Sequence, residues 1–234
     1  MPATFPSHAA AVLPLKLWRP RWFDGVALVI GSTAPDLGYA LIPFHLYAST
    51  HAWLSLLWWS LPVTVALSVL ARWSAPVAAA HLPDIAGLRD YGVLGSSRPR
   101  WWITISSAVL GAATHVLWDT FTHAYAPRPL HGMSIAGLPW WHLLQYVSTV
   151  VGGLVAVALL GVIGRRRLLV AWHGPAPDAP RRPALFWPPV SAVIAAGLVL
   201  SALWPQPVHI AFAGGLLVLG LASLAGSAAV RWGQ

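Results

Sequence analysis

Five stretches of this chain, residues 52–71, 101–123, 142–164, 186–204 and 208–230, are almost continuously apolar. Each is near the roughly 20 residues that a helix, rising about 1.5 Å per residue, needs to cross a bilayer's hydrocarbon core. A helix satisfies its backbone hydrogen bonds internally in lipid, whereas barrel strands would alternate over about 10 residues. Only 9% of the 234 residues are charged, against roughly 25% in soluble domains. That is too little polar surface to cover a water-soluble globule. The expectation is an all-α, polytopic membrane helical bundle, a single integral domain over residues 1–234 with the lipid bilayer as its partner.

Residues 6–18 and 22–36 add two apolar segments of 13 and 15 residues around Arg19-Pro20-Arg21. Proline breaks a helix and guanidinium groups stay out of lipid, so the pair reads as a short N-terminal helical hairpin turning at Pro20. Residues 72–100 read as an interfacial helix plus a loop, and the Pro-rich residues 174–185 as a linker to the last two helices.

The basic residues test this arrangement, because cytoplasmic loops collect Lys and Arg. With the spans alternating, Lys16, Arg19, Arg21, Arg72, Arg89, Arg98, Arg100, Arg165, Arg166, Arg167, Arg181, Arg182 and Arg231 all fall on one side and Arg128 on the other. The C-terminus is then cytoplasmic. The pI of about 11.1 reflects this one-sided distribution. It does not form the basic face with interleaved aromatics that nucleic acid requires, so no nucleic-acid partner is expected.

The chain has no cysteine and no glutamate. Disulfides, thiolate nucleophiles and Cys-type zinc sites are excluded, and any catalytic carboxylate is one of Asp24, Asp36, Asp84, Asp90, Asp119 and Asp178. No Walker motif, dinucleotide fingerprint or GxSxG elbow is present, which argues against nucleotide-driven pumps and serine hydrolases. Asp24 near Arg21, and Asp84 and Asp90 near Arg89, read as exposed ion pairs of little energetic weight.

Ionisable groups inside a bilayer are costly and point to function. Asp36 closes the second arm of the hairpin, His51 opens the next helix, and His115 and Asp119 lie in the outer half of the helix rising from Arg100. At about 1.5 Å per residue, Asp36 and His115 stand roughly 22 and 21 Å above the inner ends of their helices, and His8 roughly 20 Å above the hairpin turn. His115, Asp119 and His123 follow at i, i+4 and i+8, a stripe on one face. Below it, Gly111, Ala112 and Ala113 let a neighbouring helix approach closely. Imidazole and carboxylate together suit zinc or a similar divalent ion. Taken singly, each such residue is equally well read as a helix-packing hydrogen-bond partner. As a set at one depth they read as a shared site, carried by residues 1–140, with residues 141–234 as scaffold. His45, His131, His142 and His209 lie in or beside outer loops and read as surface residues.

The carrying motifs are Phe5-Pro6-Ser7-His8, Gly31-Ser32-Thr33-Ala34-Pro35-Asp36, Thr50-His51, and His115-Val116-Leu117-Trp118-Asp119 with Thr122-His123. In this order they resemble an uncharacterised bacterial membrane family, DUF4184. They are also similar to YdjM-type membrane-bound metal-dependent hydrolases and, more distantly, to zinc-dependent phospholipase C. The resemblance implies a divalent metal, zinc by preference, with His8, Asp36, His51, His115 and Asp119 at the matched ligand positions and His123 or His142 as extra ligands. The phospholipase pattern continues with a His-x-x-x-Glu pair. Here His142 is followed by Gln145 and Tyr146, so one or two ions are expected rather than three.

The expected activity is hydrolysis of a phosphoester or ester of a lipid-like substrate in a bacterial cytoplasmic membrane, with the site towards the outer leaflet and Asp36 or Asp119 as general base. The alternative is a non-enzymatic membrane protein whose His/Asp cluster binds or carries a metal ion or protons. A haem site with axial histidines is a third reading, which two adjacent aspartates disfavour.

Overall fold

The computed structural model describes residues 5–46, 48–124 and 127–233, and the Phe5 and Pro6 side chains of the N-terminal motif lie outside that description. The fold is all-α. In chain order come α1 (Phe5–Trp18), α2 (Gly25–Leu37), a 3-10 helix (Gly38–Phe44), a π-helical turn (Leu56–Ser60) running into α3 (Leu61–His81), and a second 3-10 helix (Leu88–Gly95). Then follow α4 (Trp101–Thr122), the short α5 (Arg128–His131), β1 (Ser134–Ile135), β2 (Leu138–Pro139), α6 (Trp140–Arg165), the short α7 (Leu168–His173), α8 (Pro183–Leu203) and α9 (Val208–Trp232). The two strands form an antiparallel pair of two residues each.

Among the described residues, five helical stretches are long and apolar enough to cross a membrane: Gly25–Phe44, Leu56–His81, Trp140–Arg165, Pro183–Leu203 and Val208–Trp232. The chain is therefore an integral membrane protein. The number matches the expectation, but one member differs. The second hairpin arm does not stop at Asp36. The apolar Gly38–Phe44 carries it on as a 3-10 helix, giving 20 residues in all. Helix α4 has the length to cross, at 22 residues, but His115, Asp119 and its hydroxyl residues make it too polar to join the five. The third stretch also runs further than expected. It continues through Pro76 to His81, so the helix expected within residues 72–100 begins as a continuation of this stretch.

The chain forms two compact units. One contains residues 1–65 and 100–159, the other residues 66–99 and 160–234. In the first, α1 and α2 form the expected hairpin, closed by Lys16, whose Nζ donates to the carbonyls of Pro20 (2.6 Å) and Phe23 (2.9 Å). Asp24 does not pair with Arg21. It caps α2, accepting from the backbone N–H of Val26 and Ala27, and its second oxygen accepts from the Thr104 hydroxyl at 2.7 Å. Its backbone N–H donates to Ser107 Oγ at 2.9 Å. One aspartate thus starts α2 and ties it to α4.

Further along, α2 and α4 cross at glycines. A Cβ on Gly31 would lie 2.5 Å from the Ala108 carbonyl oxygen, and one on Gly111 would lie 2.5 Å from that of Leu28. In lipid, where apolar burial gives no net drive between helices, such close backbone contact carries the association. The π-helical turn packs on this pair through Leu56 against Ala112 and Val116, and Trp59 Nε1 donates to the Ala34 carbonyl at 2.9 Å. Helix α6 meets α1 where Gly152 leaves room for Ser7.

The second unit is built on the α8–α9 hairpin, with Val77, Phe186, Val190, Ala222 and Val230 as its buried core. His81 is structural. Its Nδ1 donates to the Val77 carbonyl, its Nε2 accepts from the Arg182 backbone N–H, and its ring stacks on Phe186. Asp90 pairs with Arg167 in a two-pronged ion pair at 3.0 and 2.9 Å, not with Arg89 as the sequence suggested. Asp84 does meet Arg89, at 3.6 Å on the surface.

Because Asp24 serves two helices, Asp24→Ala is expected to cost about 1–2 kcal/mol, the loss of a cap plus one buried hydrogen bond. The check is the midpoint of heat-induced aggregation in detergent. An unchanged midpoint would show that the cap does not hold the hairpin.

Candidate functional site

The α2–α4 crossing sets the position of the site, which lies wholly in the first unit. Asp36 stands in the last turn of α2, one turn beyond Ser32. His115 and Asp119 project from the buried face of α4, and His123 caps its end with extended backbone. His8 comes from α1. His51 does not open a helix as expected. It sits in the loop before the π-helical turn, where Ser55 Oγ donates to the carbonyls of Thr50 and Ala52, both at 2.6 Å, and pins the loop.

These six side chains meet. Asp119 Oδ2 lies 3.2 Å from His115 Nε2 and 3.8 Å from His51 Nε2, while its Oδ1 lies 3.7 Å from His8 Nε2 and 3.5 Å from His123 Nδ1. Asp36 Oδ1 lies 3.0 Å from His51 Nε2 and 3.5 Å from His115 Nε2. The rings of His8 and His115 stack at 3.8 Å. Two overlapping triads result, His8–His115–Asp119 and Asp36–His51–His115, each with its ligand atoms within 4.8 Å of one another.

The residues fit a divalent ion on hydrogen-bonding grounds. His115 Nδ1 donates to the Ser32 carbonyl at 2.8 Å, so in the neutral ring Nε2 presents a lone pair, and it does so towards two carboxylates. Lone pairs of an imidazole and a carboxylate repel at this range unless a proton or a cation lies between them. His115 Nε2, His8 Nε2 and Asp119 Oδ1 are buried with no hydrogen-bond partner among the described residues, an arrangement that is costly in a low-dielectric interior. The contact from Ser32 to the outer nitrogen of His115 is the kind that fixes a ligating ring in place.

The cluster is graded in exposure. His8, His115 and Asp119 are sealed, whereas Asp36 and His51 keep 10% and 20% of their side chains accessible, which makes theirs the more open side of the cluster. Tyr39 stacks on His51 there. His45 and His131 are exposed, and His142 stacks between Trp141 and Tyr146.

Two supporting residues were not singled out from sequence as part of the site. Ser32 was visible only as a member of a motif. Gln145, on α6 beyond the portion expected to carry the site, is 1% exposed and its Nε2 lies 3.2 Å from His123 Nε2. The available signal was a lone carboxamide in an apolar span.

Residues 1–230 match the model of a family described as a domain of unknown function, DUF4184. No curated protein and no solved structure matches the chain.

Proposed function

This chain belongs to the DUF4184 family, and from the geometry of its buried cluster we propose that it is a membrane-embedded, metal-dependent hydrolase acting on a phosphoester or ester of a lipid-like substrate. The observation that carries the reading is the inward-facing, unpartnered Nε2 of His115 between Asp36 and Asp119. His8, Asp36, His51, His115 and Asp119 would hold the ion. A divalent ion such as zinc, when bound, supplies Lewis acidity and water activation at neutral pH.

The protein's own groups divide the remaining work by exposure. Asp36, at the accessible edge and steadied by His51 at 3.0 Å, is the general base that takes the proton of the attacking water. Buried Asp119 balances the surrounding imidazoles and fixes their directions. The likeness of the motifs to YdjM-type hydrolases supports the same reaction class. A site recessed in a membrane domain suits a substrate whose acyl chains stay in the lipid while its headgroup reaches Asp36 and His51.

The test uses the full chain in mixed micelles with acyl-chain phosphodiesters and carboxylic esters of p-nitrophenol. Turnover is expected, abolished by chelation, restored by zinc and absent from Asp36→Asn. Bound metal without turnover of any such ester would favour a carrier instead.

With α4 crossing alongside the five apolar stretches, the one-sided basic residues carry the orientation, in a bacterial cytoplasmic membrane, with the C-terminus in the cytoplasm and the cluster towards the outer leaflet. A fluorescent-protein fusion at the C-terminus is expected to glow and an alkaline phosphatase fusion there to be inactive. The reverse pattern would invert the orientation.

A further inference from the structure

We infer that His123 turns its Nδ1–H towards Thr122 and Asp119, held in that tautomer by Gln145, and is not a ligand of the centre. The inference rests on the metal-centre reading above and assigns roles within that site.

A carboxamide nitrogen can only donate. With Gln145 Nε2 at 3.2 Å, His123 Nε2 must accept, which leaves the proton of the neutral ring on Nδ1. A second contact agrees. Thr122 Oγ1 donates to the Trp118 carbonyl at 3.3 Å, so towards His123 Nδ1, 3.2 Å away, it acts as acceptor. The same Nδ1 lies 3.5 Å from Asp119 Oδ1.

Nδ1–H of His123 therefore points inward, donated to the Thr122 hydroxyl at 3.2 Å with Asp119 Oδ1 beyond it at 3.5 Å. A ring nitrogen that carries a proton has no lone pair for an ion. His115 is the contrast. It too carries its proton on Nδ1, but that atom points outward to Ser32 and presents Nε2 to the centre. The two rings are eight residues, about two helical turns, apart at the end of α4, yet one offers a lone pair and the other a proton. His123 also stands outside both triads. Its part is that of an outer partner that orients a ligating carboxylate, with Gln145 one step further out as a positioning residue. The reversed carboxamide would place Oε1 against His123 Nε2–H and turn an Nδ1 lone pair towards Asp119. That arrangement would make His123 a ligand, so the two readings predict different measurements.

The full chain, purified in detergent, is titrated with zinc and separately loaded with cobalt. His123→Ala and Gln145→Ala are expected to bind as many equivalents as the wild type, with affinity about 10- to 100-fold weaker, and to keep the wild-type cobalt absorption pattern. Gln145→Glu, which can only accept from Nε2–H, is expected to turn the Nδ1 lone pair of His123 inward and change that pattern. If His123→Ala loses metal as completely as His115→Ala, or if Gln145→Ala binds with unchanged affinity, the inference is overturned while the metal centre stands. A wild type that binds neither ion removes the metal centre instead. In that event 15N spectra of the ring-labelled protein still decide the tautomer: Nδ1–H at His123 supports the role of Gln145, and Nε2–H overturns it.

Discussion

Asp119→Ala is expected to retain less than about a tenth of the metal bound by the wild type, the outcome of losing a ligand and not an outer partner. The reason is its reach. Its two oxygens stand within 3.8 Å of nitrogens on His8, His51, His115 and His123, so one carboxylate faces all four imidazoles of the cluster. Removing it leaves His8 with no carboxylate contact among the described residues and leaves His115 with Asp36 alone. Asp119→Asn keeps the size of the side chain but removes its charge, and is expected to fall with the alanine variant. Zinc content by elemental analysis of detergent-purified protein is the check. Wild-type content in both variants would remove Asp119 from the site.

The second large effect concerns the crossing beneath the cluster. Gly111→Leu would drive a side chain into the backbone of α2, where even a Cβ falls 2.5 Å from the Leu28 carbonyl oxygen and 2.8 Å from the Ser32 nitrogen. Backbone on both sides cannot yield as a flexible side chain would, so a cost at or above about 3 kcal/mol is expected, the upper range for overpacked cores. The same displacement would carry the Ser32 carbonyl away from His115 Nδ1. Size-exclusion profiles in detergent should show aggregation or loss of the monodisperse species. The control is Gly214→Leu, at a glycine where an added Cβ meets nothing within 4 Å, and it should behave as wild type.

Much of the site was legible because α-helical periodicity alone aligns His115 with Asp119, and because the rise per residue placed Asp36 and His8 at matching depths. These three elements converge as expected. His51 was found for a partly mistaken reason. It was read as the first residue of a helix, but it stands in a loop whose shape depends on Ser55 reaching back to two carbonyls. Periodicity has nothing to say about such a loop.

Partners across elements were harder. Asp24 and Arg21 are close in sequence, but capping α2 and accepting from Thr104 satisfy Asp24 better than an exposed ion pair would. Asp90 likewise finds Arg167, 77 residues away, over its near neighbour Arg89. The second hairpin arm ran past Asp36 because a polar residue facing a buried site does not end a helix. Gln145 could not be placed from sequence, since its meaning depends on which end of α4 it meets.

The proposed centre requires that imidazoles and carboxylates from α1, α2, α4 and the loop before α3 jointly bind a divalent ion. Zinc-edge X-ray absorption on the detergent-purified full chain tests it most directly. Nitrogen and oxygen neighbours are expected at about 2.0–2.2 Å, with more distant scattering from at least two imidazoles that falls in His115→Ala. Sulfur cannot contribute, because the chain has no cysteine. Zinc surrounded only by water or buffer oxygens, with no imidazole signal, would rule out a centre built from these side chains.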